Sequence, residues 1–264
     1  MSKPDVLYNQ VITFVVAVND DGVLESNLLA SPLFADNHSH QIIIRRNYAS
    51  AAQAYNDALD QAVNGLLIFA HQDVFLPKDW MGRLGEALDW LYAKDPDWGV
   101  AGCFGVTPNG RHLGHVYSSG LRSILGQPFS EPVEVQTLDE MVLILRKPSG
   151  LRFDEYLPYF HFYGTDICMA ARERGLKCYV VPAFCIHNSN AVYGFPKEFY
   201  AAYRHVKARW RKFLPIRTTC TTISQMDFEL WRTRLVELGR RIVGVSKRPS
   251  GGRVQDPARL WKEM

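Results

Sequence analysis

Short runs of β-branched and aromatic residues alternate along this chain with longer stretches whose apolar residues recur every three or four positions. Residues 11–18 form the first such run, and it stops at Asn19-Asp20-Asp21-Gly22, which has the polar and glycine chemistry of a turn. Residues 41–46 read as a second strand. Residues 49–62 are rich in alanine, with Tyr55, Leu59 and Val63 at helical spacing. Residues 65–70 give a third strand, apolar throughout after Gly65. Residues 78–94 give a helix with Trp80, Leu84, Leu88 and Leu91 on one face, and residues 99–104 a fourth strand. Strands alternating with helices imply an α/β fold with a mostly parallel central sheet covered by helices.

Between residues 108 and 132 the pattern is lost among glycines and serines, apart from a short strand at 113–117, and this stretch reads as a substrate-side loop region. Residues 141–146 resume as a strand and 165–174 as a helix. Residues 177–181 lead through Cys185 to His187 as a last strand and its edge. Two helices rich in lysine and arginine follow at 196–213 and 227–243, and residues 246–252 read as flexible. The expected division is a catalytic domain over residues 1–215 and a basic helical tail over 216–264.

A chain of 264 residues, 47% hydrophobic and 22% charged, is long enough for one sizeable core. No apolar run approaches the ~20 residues that span a bilayer and none has a leader's layout, so the expected location is cytoplasmic. The five cysteines form no CxxC pair and read as reduced, buried thiols. Lys207, Arg209, Arg211, Lys212, Arg217, Arg232, Arg234, Arg240 and Arg241 are interleaved with Trp210, Phe213, Trp231 and Leu235. That stretch is either a solvated helix face or a peripheral surface for anionic membrane lipid or a partner. A net charge of only +3 and the lack of a recognition motif argue against a nucleic-acid partner.

The chemistry concentrates at His71-Gln72-Asp73, directly after the apolar run at 65–70. Open α/β sheets bind ligands at such strand ends. Hard divalent cations such as Mn²⁺ or Mg²⁺ are held by one or two carboxylates together with substrate phosphate oxygens, so a single Asp there suffices. Asp73 is either a metal ligand or a residue that starts the following loop.

Several segments in order resemble family 2 glycosyltransferases of the GT-A fold, in the branch whose DxD motif is replaced by His-Gln-Asp-Val. They are Asn19, Ser31-Pro32, the stretch from Asn47 to Tyr55-Asn56, Phe69-Ala70-His71-Gln72-Asp73-Val74, and a late pair, Phe160 to Asp166 and His187-Asn188-Ser189. The resemblance implies a Rossmann-like sheet and metal-dependent, inverting transfer of a sugar. The donor is a nucleotide-diphosphate sugar, UDP- or GDP-linked, and the acceptor a glycan such as a cell-surface polysaccharide, a lipid-linked molecule or a protein. It implies Asp73 and His187 as ligands of Mn²⁺ or Mg²⁺. It places His71, Gln72, Asn19, Asn47 and Asn56 around the donor nucleotide, although each asparagine also suits a turn or a helix cap.

Inverting transfer also needs a base for the acceptor hydroxyl. Asp166 aligns with the second acid of the family's late motif, whereas Gly164 stands at the first acid position, often the base. Asp166 is therefore the expected base, with Asp139 as runner-up and with Glu140 and His161 binding acceptor. The glycine at 164 also admits an inactive nucleotide-sugar-binding or scaffold protein. A nucleotidyltransferase is the remaining alternative, without the glycine-rich basic loop expected after Val18.

Overall fold

The computed structural model describes residues 11–35, 39–190, 194–243 and 251–264. The first half runs β1 (Thr13–Val18), α1 (Asp21–Ser26), β2 (Gln41–Arg46), α2 (Ala51–Gln61), β3 (Leu66–Ala70), β4 (Val74–Phe75) and α3 (Trp80–Lys94). There follow β5 (Val100–Gly102), β6 (Phe104–Val106), β7 (His112–Ser118), β8 (Ser123–Gly126), β9 (Val133–Val135), β10 (Thr137–Leu138) and β11 (Val142–Arg146). The chain ends with α4 (Tyr163–Glu173), β12 (Cys178–Val180), β13 (Cys185–His187), α5 (Lys197–Arg209), β14 (Ile216–Arg217), β15 (Thr222–Ile223), α6 (Phe228–Val243) and α7 (Pro257–Glu263).

A seven-stranded sheet in the order β2-β1-β3-β11-β5-β12-β9 forms the centre. Side chains alternate across it, as the period of a strand requires. Val15, Phe69 and Leu143 pack with α2 and α4 on one face, while Phe14, Ile68 and Ile144 pack with α3 on the other. The sheet is mixed: β1 runs parallel to β2 and β3, but β11 lies antiparallel between β3 and β5. That reversal matters for the site. The C-terminal ends of β1, β2 and β3 share one edge, and the antiparallel β11 brings its own start, Asp139-Glu140, to the same edge.

A second sheet, β10-β6-β7-β13-β4 with β8 on β7, stands beyond that edge. Two expected single strands are each divided between the sheets. Residues 99–104 become β5 in the first and β6 in the second, and residues 177–187 become β12 and β13. Every residue of β5 and β6 is buried, so the apolar run continues through the bend and gives no periodic mark of it. The expected loop region at 108–132 contains the β7–β8 hairpin.

Packing does not stop at residue 215. The Arg217 amide donates to Gln136 Oε1 at 2.9 Å, and Thr137 Oγ1 donates to the Arg217 carbonyl. Of the stretch expected to be flexible, residues 246–250 lie outside the described residues, as do the side chains of Arg234, Arg240 and Arg241. Residues 251–264 return to the edge of β7 and β13. Among the described residues no helix is long and apolar enough to cross a membrane.

Candidate metal and donor site

Strand β3 is buried along its whole length, and its pairing with the β11 side extends one residue further, with the His71 amide donating to the Met141 carbonyl at 3.0 Å. The chain then leaves the first sheet for the second as β4, and Asp73 occupies the crossing. Antiparallel pairing of β13 with β4 sets His187 opposite Val74, and the Asn188 amide donates to the Asp73 carbonyl at 2.7 Å. Backbone pairing thus brings residues far apart in sequence side by side. His187 Nε2 lies 3.4 Å and His71 Nδ1 3.9 Å from the same oxygen, Asp73 Oδ1. One ligand atom from each of the three residues lies within 4.8 Å of the others.

Two imidazoles and a carboxylate form a donor set suited to a divalent cation, which would displace the proton that Asp73 favours on His187. Burial raises the cost of ionising Asp73, but the hydrogen bond and charge of His187, with His71 and Arg253, hold its carboxyl well below the usual range. Burial works to lower His187, and the Asp73 carboxylate overcomes it, so that imidazole is raised. For His71 burial prevails over Asp73 and the ring is held neutral. The Tyr163 hydroxyl donates to the Glu140 carbonyl at 3.2 Å and lies 2.6 Å from His71 Nε2. In the tautomer with the ring proton on Nε2, that proton is donated to the Tyr163 oxygen and Nδ1 keeps its lone pair toward Asp73, the form that ligation of a cation would need. An outer partner that fixes tautomer and orientation is what a ligating histidine requires.

The expected donor-side residues separate. His71 stands beside Asp73 and His187 rather than apart from them. Gln72 Oε1 accepts from the amides of Asn19 and Asp20 at 3.0 and 3.2 Å, and its amide nitrogen donates to Asn19 Oδ1. Gln72 therefore ties the end of β3 to the end of β1 and leaves Asn19 exposed at the site edge. Asn47 is exposed with φ of 64°, a left-handed turn position that asparagine tolerates. Asn56 does not face the donor: it is buried, donates to the Phe153 carbonyl at 2.8 Å and accepts from the Phe153 amide at 3.0 Å. Its amide is occupied in pinning the chain before α4 onto α2.

Asp166 must also be corrected. It is 0% exposed, and its carboxylate accepts from Arg209 Nη1 at 2.8 and 3.0 Å and from Trp210 Nε1 at 2.6 Å. An acid sealed against α5 cannot reach an acceptor hydroxyl; it fastens α4 to α5. Asp154 serves the same network, 2.7 Å from His205 and 2.8 Å from Arg209. Asp139 is half-buried at the site edge, where its charge is felt by both His71 and His187. Its two oxygens accept from the Met141 amide at 3.1 Å and Thr219 Oγ1 at 2.8 Å. His161 packs on Phe199, ring centroids 5.7 Å apart, and burial lowers it.

Glu140 differs from these acids. Its Oε1 accepts from the Gly164 amide at 3.2 Å. A Cβ added at Gly164 would come within 2.9 Å of Glu140 Cγ, a separation that side chains do not tolerate. The Glu140 side chain thus occupies the space that an acid at 164 would need. Burial, then the neighbouring Asp139 charge, pushes its carboxyl up to about 8.

Sequence patterns alone give no sign of Tyr163 as the partner of His71, or of Arg253, whose Nη2 lies 3.7 Å from Asp73 Oδ2. The adjacency of Gly164 to an Asp-Glu pair before a strand is a signal for Glu140, but only once β11 is known to be antiparallel.

The pattern of the family described as "Glycosyltransferase like family" matches residues 13–207. A Fuscovulum blasticum protein, ATP synthase subunits region ORF 6, is 27% identical over 158 residues, 56% of this chain and 61% of that protein. The chain thus spans about three fifths of that relative. Among solved structures, the mannosyltransferase PcManGT from Pyrobaculum calidifontis, in complex with GDP-Man and Mn²⁺, aligns at 16% identity and a TM-score of 0.44. That alignment covers 94% of this chain and 68% of the mannosyltransferase. S. aureus TarS 1-349 aligns at 15% identity and a TM-score of 0.47, covering 90% of this chain and 73% of TarS.

Proposed function

The chain belongs to the glycosyltransferase-like family, and we propose that it transfers a sugar from a nucleotide-diphosphate donor to an acceptor hydroxyl with inversion, using a divalent cation. The observation that supports this best is the meeting of Asp73, His71 and His187 where β3 and β13 end. When bound, Mn²⁺ or Mg²⁺ would supply Lewis-acid neutralisation of the departing diphosphate. His71, Asp73 and His187 would hold it, and Tyr163 keeps the His71 lone pair directed inward. Asn19, tied down by Gln72, lies at the edge where the nucleotide enters.

Glu140 takes the base role here. The acceptor oxygen bonds to the anomeric carbon as the bond from that carbon to the diphosphate breaks. The nucleoside diphosphate leaves with the bonding electron pair, and the hydroxyl proton passes to the Glu140 carboxylate. With a carboxyl near 8, Glu140 is a stronger base than an ordinary carboxylate. Asp139, with both oxygens engaged, maintains that raised value; His161 lines the acceptor side. For the acceptor, Phe228, Trp231 and Leu235 stand exposed on one side of α6, with Arg232 exposed near them. That surface suits a lipid-linked acceptor at an anionic membrane.

The test is calorimetric titration with UDP, GDP and CDP, with and without Mn²⁺, repeated with Asp73→Ala and His187→Ala. Cation-dependent binding of one nucleotide, lost in both variants, is expected. A wild-type protein that binds none of them would sink the proposal.

A further inference from the structure

The C-terminal segment 251–264 is seated on the site by several independent devices. Asn188, 1% exposed, uses its whole amide: Nδ2 donates to Asn27 Oδ1 at 2.7 Å and to the Val254 carbonyl at 2.9 Å, while Oδ1 accepts from the Val254 amide at 2.8 Å. One side chain thereby pairs Val254 as a neighbouring strand would. The Arg253 amide donates to Asn190 Oδ1 at 3.3 Å. Gly251 lies so close to the turn after β7 that an added Cβ would fall 2.2 Å from the Ser119 carbonyl oxygen and 2.3 Å from that of Gly120, so only glycine fits. Further on, Asp256 caps α7 by accepting from the Arg259 amide at 2.9 Å, and Trp261 packs on Phe184 with centroids 5.2 Å apart.

These contacts straddle Arg253 and direct it at the metal set. Its guanidinium approaches Asp73 Oδ2, whereas His71 and His187 face Oδ1. A strap held by a buried asparagine, an obligatory glycine and a tryptophan is far more structure than a surface ion pair needs. We propose that residues 251–264 form a closing strap whose Arg253 is a ligand for the donor diphosphate. The proposal rests on the donor-site reading above. A diphosphate sharing a cation with Asp73 lies beside that carboxylate, within reach of a guanidinium 3.7 Å from it. Guanidinium is suited to phosphate because it offers paired donors in one plane. Without donor, Arg253 rests on Asp73; with donor, the phosphates take over as its partner.

The full chain with Mn²⁺ is titrated with whichever of UDP, GDP and CDP binds best, then with Arg253→Gln and with Gly251→Val. Arg253→Gln replaces a side chain that is one-third exposed and lies outside the apolar core; Gly251→Val unseats the strap while keeping the arginine. Both should weaken binding about ten- to a hundredfold, the scale of a lost charge-assisted hydrogen bond. Arg253→Lys should recover part of the loss. In the wild type, nucleotide should slow amide hydrogen exchange across 251–264. Unchanged or tighter binding by Arg253→Gln refutes the inference and marks the strap as a plug, while the donor reading stands. Failure of the wild type to bind any nucleotide removes both.

Discussion

Replacing Asp166 with Ala separates the two roles this residue has been given, because the structure gives it a structural task and the family pattern a chemical one. The carboxylate is fully buried and accepts from Arg209 and from Trp210 Nε1. Removing one member of a buried ion pair costs about 3–5 kcal/mol when its partner is left alone. Arg209 is not left alone: it is 32% exposed and keeps Asp154 at 2.8 Å. Its share of the loss therefore falls well below that range, to about 1 kcal/mol, the scale of a partly exposed ion pair. The indole N–H of Trp210 is buried and has no acceptor after the change, and an unsatisfied buried donor costs about 1–3 kcal/mol. Together these give a loss of about 3 kcal/mol, with roughly half of it spared in Asp166→Asn, which keeps an acceptor for the indole. At about 2–4 °C per kcal/mol for a chain of this size, the melting temperature should fall by roughly 6–12 °C. Urea unfolding gives the stability, and nucleotide titration at a temperature where the variant is folded gives the donor site. A variant as stable as wild type but without turnover would refute the structural assignment and restore Asp166 as the base.

The remaining predictions concern the chemistry and the surface. Glu140→Gln should lower turnover about 10²–10⁴-fold, the range for a positioned base, while nucleotide binding measured by calorimetry stays intact. In the wild type, Glu140 ionises only near pH 8, so kcat/KM should climb from pH 6 and level off above about 8. A profile already flat at pH 6 would count against Glu140. The same raised carboxyl adds stability that is fully present below its unfolded value of about 4.5 and is lost as pH rises through 8, and Glu140→Gln should remove that part of the pH dependence of urea unfolding. Tyr163→Phe should weaken Mn²⁺ binding about 10–100-fold, the usual cost of an outer partner of a ligating histidine; unchanged affinity in a direct titration would exclude Tyr163 as that partner. Vesicles of anionic phospholipid should co-sediment the protein and neutral vesicles should not, with Trp231→Ser reducing the bound fraction; equal behaviour on both would remove the membrane surface proposed for α6.

The sequence puts Asp73 and His187 forward as candidates because each stands close after an apolar run, and strand ends carry sites whatever sheet the strand joins. The sheet itself was legible only in part. Alternating strands and helices imply parallel pairing, but β11 follows β10 with no intervening helix, and nothing in its apolar sequence marks it as antiparallel. That one reversal brings Asp139 and Glu140 to the end of β3. It is also why the acid at this site has to be sought in space and not along the late motif. Motif alignment assumes that a function stays at its sequence position, whereas the constraint is on volume: a carboxylate must project beside the start of α4. An acid at 164 and the observed Glu140 would contend for that volume, since a Cβ at 164 would meet Glu140 Cγ at 2.9 Å. Gly164 is then what lets Glu140 enter, and the glycine by itself does not mark a lost reaction. Arg253 and Asn188 carry the same lesson over a longer distance, the asparagine and the valine it holds standing 66 positions apart. Such a contact has no period or spacing to betray it, and only the returned chain shows that the basic tail supplies a cation to the site.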